Sequence, residues 1–144
     1  MQWTPAMSVC VSVLDEDHKK IIGIVNQLHL GITAGHSREV LEAVLDQLIG
    51  YARYHFAHEE ELLIKTGYLD TPAHKAEHEI FMSRICALQN RIKSSPVSML
   101  DLELMSLLRN WCLTHIQGSD KKFGPRLNAH GFFIDFSAFF TFIE

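Results

Sequence analysis

Three observations predict an all-α protein, an up-down-up-down four-helix bundle with an N-terminal arm and a C-terminal Phe-rich tail. Apolar residues recur at helical spacing in four successive stretches. The breaks between them are short and carry helix stop and start chemistry. Nine of the 144 residues are His, and several lie inside the apolar stripes, where facing helices of a bundle build metal sites.

The length suits one domain with a real core, read as 1–144, and is short for two. Its parts are an arm (1–14), a bundle (15–121) and a tail (122–144). Hydrophobic residues make up 47%, which places the chain among globular rather than disordered sequences. Net charge is −4, and the basic residues are scattered, so no stripe invites nucleic acid. Cys10, Cys86 and Cys112 are odd in number and lack framework spacing, which argues for a reducing compartment, the cytoplasm. The N-terminal residues do not read as a signal peptide, and no apolar run reaches transmembrane length, so no membrane insertion is expected.

Trp3 and Pro5 suggest an irregular arm covering the body. The first helix, 15–34, carries a stripe of His18, Ile21, Ile22, Val25, Leu28 and Ile32. Taken alone, His18 reads as a satisfied core residue. Gly35 ends this helix and Ser37 caps the next.

The second helix, 38–65, buries Leu41, Val44, Leu45, Leu48, Ala52, His55, Glu59 and Leu62. A Glu in such a stripe is costly unless paired or bound to a cation. A buried His–Glu hydrogen bond would also satisfy it. His58, Glu60 and Glu61 point elsewhere and meet water. Gly67 closes the helix.

In the break LDTPA, Thr71 is the expected cap and Pro72 the first helical residue of 72–93. That helix places His74, His78, Phe81, Ile85, Leu88 and Ile92 on one face. Two stacked His on a stripe that turns purely apolar one turn later are hard to explain as packing. The fourth helix, 97 to about 121, lines its inner face with Leu104, Leu108, Trp111 and His115.

Asp120 follows His115 by five residues. Five α-helical steps turn about 500°, so Asp120 would sit roughly 140° off that face. To join it the helix must loosen, as a π-type turn or a frayed end, and Gly118 makes that cheap. A solvent-facing Asp is the equal alternative. From 122 onward helical periodicity fades, and the last stretch, FFIDFSAFFTFIE, holds six of the nine Phe. It suits packing on the bundle, on a second copy or on a protein partner.

In a closed bundle His18, His55, Glu59, His74, His78, His115 and Asp120 converge. Five imidazoles and two carboxylates exceed what one tetrahedral zinc takes. They fit two metals that share bridging carboxylates. No Glu stands three residues before a His, the pair that carboxylate-rich di-iron bundles use. A His-rich set leaves the pair less negative, which favours reversible binding over oxygen activation. Ile21, Phe56, Trp111, Cys112 and Ile116 flank the donors and could form a dry oxygen pocket; ordinary core packing is compatible with that.

At these residues the sequence resembles the hemerythrin family in its single-domain bacterial form. The stretches that carry the resemblance are DEDHKKI around His18, HFAHEEELL from His55, HKAEH from His74 to His78, and WCLTHIQGSDKKF around His115 and Asp120. SVCVSVLDEDHKK and GPRLN add to it, over roughly residues 3 to 131. The resemblance implies one iron held by His74, His78 and His115, and another held by His18 and His55 with an open position for dioxygen. Glu59, Asp120 and an oxo or hydroxo group would bridge them. It implies oxygen storage, transport or sensing rather than enzymatic turnover.

Four features depart from the family's usual look. Asp17 stands where Gln is common, Cys112 where a bulky aliphatic residue is usual, and Cys10 where Gly is usual, and the Phe-rich tail runs past the usual end. The alternatives are a di-iron oxidase, peroxidase or nitric-oxide-reducing enzyme on the same scaffold, and an iron or zinc store or iron-responsive interaction module. A zinc hydrolase fits least, because His74 lacks the following Glu that serves as general base.

Overall fold

The structure is a computed structural model, described over residues 1–133. Four helices form the bundle: α1 (Ser12–Thr33), α2 (Arg38–Lys65), α3 (Thr71–Arg91) and α4 (Val97–Asn110). A π-helical segment, Trp111–Asp120, continues α4 and leads into α5 (Lys121–Ala129). Each bundle helix packs on its two neighbours, α1 on α2 and α4, and α3 on α2 and α4.

The turn chemistry accounts for the breaks. Ser37 accepts a hydrogen bond from Val40 N and caps α2. Gly35 and Gly67 take φ of 72° and 64°, the left-handed conformation that stops a helix cheaply. One expected cap is wrong. Asp70 precedes α3, and Thr71 is its first residue, its hydroxyl donating to Tyr68 O at 2.6 Å.

A second expectation also fails. Residues 121–129 stay helical with Pro125 inside. Pro125 stands inside α5, which follows the π segment without a break, so the helix forgoes one backbone hydrogen bond there, and Phe123 and Leu127 are buried on one face. The Phe-rich stretch beyond residue 133 lies outside the described residues.

Two apolar clusters fill the interior. The larger runs along the bundle through Val25, Leu28, Leu45, Leu48, Ile85 and Leu108. The smaller gathers Val9, Val11, Leu14, Leu63, Phe123 and Leu127 at the end where α1 starts and α2 stops. Val9 and Val11 bring the arm into that cluster, and the arm turns through a short 3-10 helix, Pro5–Met7. Val9 N donates to Asp15 Oδ1 at 2.8 Å, which ties the arm to α1. A Cβ on Gly124 would stand 2.6 Å from Val9 O, so only Gly lets α5 come this close. On α1, His18 falls between Leu14 of the smaller cluster and Ile21 of the larger, so the site has apolar packing on both sides.

Candidate metal centre

Each bundle element delivers donors to one point. His18 comes from α1, His55 and Glu59 from α2, His74 and His78 from α3, and His115 and Asp120 from the π segment. Residues four apart on a helix share a face, which explains the pairs on α2 and α3. For His115 and Asp120 the backbone changes instead. The π segment, wider than an α-turn, brings the fifth residue back to the inner face. All seven side chains are buried, and His18, His55, Glu59 and Asp120 show no exposed surface.

The donors form two groups with ligand atoms within 4.8 Å of one another. Glu59, His74, His78, His115 and Asp120 make one group; His18, His55, Glu59 and Asp120 make the other. Both carboxylates belong to both groups and stand between a three-imidazole side and a two-imidazole side. Paired imidazoles face each other nitrogen to nitrogen, His18 to His55 at 3.1 Å and His78 to His115 at 3.0 Å. His74 Nε2 and His115 Nε2 each lie 3.0 Å from Asp120 Oδ1, and His18 Nε2 lies 3.2 Å from Oδ2.

The approaches to Asp120 are not aligned as hydrogen bonds, whereas the two imidazole pairs are. Among the described residues, Glu59 Oε2 and both Asp120 oxygens are buried without a hydrogen-bond partner. A buried carboxylate oxygen left this way costs several kcal/mol by order of magnitude unless a cation answers it. The nitrogens and oxygens of each group lie close enough together to serve one cation. The residues fit non-haem iron, since imidazole and carboxylate suit it.

Electrostatics point the same way. Burial should push these imidazoles toward the neutral form, yet Asp17 and Glu59 outweigh it and push His55 up to about 9. Likewise Asp120 and Glu59 outweigh burial at His74 and push it up to about 10. Burial opposes ionisation of Glu59 and Asp120 as well, but the surrounding imidazoles hold both below the usual carboxylate range. The box is thus strongly electronegative. Cations would take the place of the protons its imidazoles otherwise hold.

A set of acids behind the imidazoles completes the site. His55 Nδ1 donates to Asp17 Oδ2 at 3.0 Å, His78 Nδ1 to Glu60 Oε1 at 2.9 Å, and His115 Nδ1 to Glu77 Oε2 at 2.7 Å. Each bond fixes the tautomer so that Nε2 turns inward with a free lone pair. The three acids follow a rule. Asp17 precedes His18 but serves His55 on α2; Glu60 follows Glu59 but serves His78 on α3; Glu77 precedes His78 but serves His115 on the π segment. One step along a helix turns about 100°, enough to aim an acid at the next helix. The chain of service stops at His18, whose buried Nδ1 has no partner.

Two sequence expectations are corrected here. Glu60 is only partly exposed, and it holds His78 as well as meeting water. His58 is only partly exposed, and its Nδ1 donates to Asp17 Oδ2 at 3.1 Å. Glu61 is exposed as expected. Acids next to a ligand in sequence were the missed signal for Glu60 and Glu77.

The five predicted lining residues are all buried. Phe56 stacks on His78 with ring centroids 3.9 Å apart, and Trp111 stacks on His115 at 5.6 Å. Trp111 also meets His18 edge-on at 6.2 Å. Ile21, Cys112 and Ile116 lie in the same large cluster, and burial pushes the Cys112 thiol up to about 11.

A helical bundle with a buried box of imidazoles and carboxylates defines a bundle-core cation-binding protein. The Hemerythrin HHE cation binding domain matches residues 10–127. The chain is 35% identical over 130 residues to a bacteriohemerythrin of Methylococcus capsulatus, covering 90% of this chain and 98% of that one. It is 32% identical over 128 residues to one of Stenotrophomonas maltophilia, covering 89% and 82%. A wild-type hemerythrin crystal structure superposes with a TM-score of 0.76 at 34% identity, covering 88% of this chain and 97% of that one. The chain belongs to the hemerythrin family.

Proposed function

We propose that the protein binds dioxygen reversibly at two non-haem irons, in oxygen storage, transport or sensing. The observation that carries this reading is the unequal division of donors. Two carboxylates serve both groups, but three imidazoles stand on one side and two on the other. One iron would be held by His74, His78 and His115 and the other by His18 and His55, with Glu59 and Asp120 available to both. The second has one protein ligand fewer, and that difference is the place for dioxygen. Two irons, when bound, supply electrons to dioxygen and take them back.

The chain's own residues do the rest. Asp17, Glu60 and Glu77 hold three imidazoles in the donating tautomer. Ile21, Phe56, Trp111, Cys112 and Ile116 line the pocket and keep water from the oxygen site. The whole chain acts as one domain. Among the described residues no helix is long and apolar enough to cross a membrane. All three cysteines are free, which suits the cytoplasm.

The test is a visible spectrum of the anaerobically reduced, iron-loaded protein before air, after air, and after argon sparging. A charge-transfer band that comes with air and leaves with argon is expected. A band that comes and stays means oxidation, and makes a redox enzyme the better reading.

A further inference from the structure

We propose that Tyr51 is a positioning residue for the iron centre: it shares the Asp17 carboxylate with His55 and so sets how strongly that imidazole donates to its iron. This rests on the proposed assignment of His55 as an iron ligand. Asp17 is the most heavily used of the three acids behind the box. Its Oδ2 accepts from His55 Nδ1 at 3.0 Å and from His58 Nδ1 at 3.1 Å, and its Oδ1 accepts from the Tyr51 hydroxyl at 3.0 Å. Glu60, by contrast, accepts from His78 Nδ1 at 2.9 Å through Oε1.

The physical chain is short. A carboxylate that accepts the Nδ1 proton of a ligand imidazole draws that proton toward itself. The ring gains electron density, and Nε2 becomes the stronger donor. A stronger donor stabilises the oxidised metal more than the reduced one. Every further donor on the same carboxylate spends part of its charge and weakens its pull on His55. Tyr51 is such a donor, and it binds the oxygen that His55 does not use.

The local structure holds Tyr51 in that role. It lies four residues before His55 on α2, hence on the same face one turn away. Its ring packs against Tyr54 with centroids 5.7 Å apart, and the Lys20 ammonium lies 5.4 Å from the ring centre. Tyr51 is half-buried, so the loss of its hydroxyl leaves the ring packing intact. It touches no ligand atom of the box. Its influence passes through Asp17.

The experiment compares Tyr51→Phe with wild type, and uses Tyr54→Phe as the neighbouring control. The first readout needs no iron. Proton NMR of the metal-free, nitrogen-15-labelled protein reports the His55 Nδ1–H signal, which should move downfield in Tyr51→Phe as Asp17 pulls harder. The second is a spectroelectrochemical titration of the iron-loaded protein under argon. At a fixed applied potential the oxidised-to-reduced ratio should rise severalfold in Tyr51→Phe with iron content unchanged; tenfold corresponds to about 59 mV for one electron. Tyr54→Phe should move neither. An iron-loaded Tyr51→Phe with an unmoved potential overturns the proposal, whether or not the NMR signal shifts. A wild-type chain that takes up no iron overturns the reading beneath it, and the NMR arm still reports whether Tyr51 acts on His55.

Discussion

The two sides of the box are built to different standards. On the three-imidazole side, His78 and His115 are each tied by an acid from the neighbouring helix, and aromatic rings lie flat on both. On the two-imidazole side, Asp17 ties His55 but divides its charge among three donors, and among the described residues His18 Nδ1 has no hydrogen-bond partner. The first side is held from outside at two of its three rings, the second at one of two. The comparison teaches that anchoring and openness oppose each other. The side proposed to take dioxygen is the one whose rings are left least constrained.

The largest expected effect erases the comparison. Glu59 serves both sides and has no exposed surface. On the proposed assignment, Glu59→Gln removes a ligand of both irons and leaves Asp120 as the one remaining carboxylate shared by the two groups. Iron content should fall from two per chain to one or fewer. Stability of the iron-loaded protein should drop by about 3–5 kcal/mol, the scale for breaking a buried charge pair. Iron assay and thermal unfolding together check this. Two irons and an unchanged midpoint would sink the shared-ligand assignment.

Acidity and alkalinity probe both sides at once. His55 and His74 are raised in the folded protein to about 9 and about 10 from an ordinary value of 6.5. Their stabilising contribution is complete below pH 6.5 and is lost as pH rises through 9 and 10. Glu59 and Asp120 are lowered, so their contribution is present above the ordinary carboxylate range and lost as pH falls. The metal-free protein should therefore melt at falling temperature as pH is raised from neutral toward 10. The iron-loaded protein should not follow, because cations have replaced the protons. Parallel curves would mean that the imidazoles do not hold metal.

Glu77→Gln sharpens the contrast between the sides. It keeps a partner for His115 Nδ1 but removes the anion, so that ring donates less. Iron on the three-imidazole side should bind about 10–100-fold more weakly, the usual cost of losing a partner behind a ligand. Competition with a chelator measures it. The exposed Glu61, changed to Gln, is the control and should leave affinity alone. Equal loss at both irons would show that the two sides are not independently anchored.

Where the sequence was legible, it was so for a physical reason. Period and burial coincide along α1, α2 and α3, so a polar residue inside an apolar stripe is visible as an anomaly. His55, Glu59, His74 and His78 stood out in this way, whereas His18 alone read as a core residue and joined them only when the donors of all four helices were counted together. His115 and Asp120 needed a non-standard helix. Spacing exposed the conflict, but only the backbone resolves it in favour of the π segment. Glu60 and Glu77 were illegible because a residue one step off the stripe looks like a solvent-facing one. Its true partner sits on another helix, and no single-helix pattern carries that information. The helix after Asp120 was missed because Pro125 and Gly124 read as punctuation. There Gly124 serves close approach to the arm instead.

The smallest effect concerns that arm, whose Val9 and Val11 join the apolar cluster that includes Phe123, 5.4 Å from the His74 ring. Cys10 takes φ of +62°, the left-handed conformation that a side chain resists and Gly accepts. It is held there by its neighbours. Cys10 N donates to Ser8 Oγ at 3.1 Å, and Asn128 Nδ2 donates to Cys10 O at 2.9 Å. Because Cys10 is exposed, its thiol adds little packing to set against the strain. Cys10→Gly should therefore stabilise the fold by about 1 kcal/mol, the low end of the cost of a left-handed residue, since Gly also frees the unfolded chain. Denaturant unfolding reads this directly. A tighter arm should also slow chelator removal of iron, because the cluster it joins packs against His74. If stability rises while removal is unchanged, the arm strengthens the fold without sealing the box.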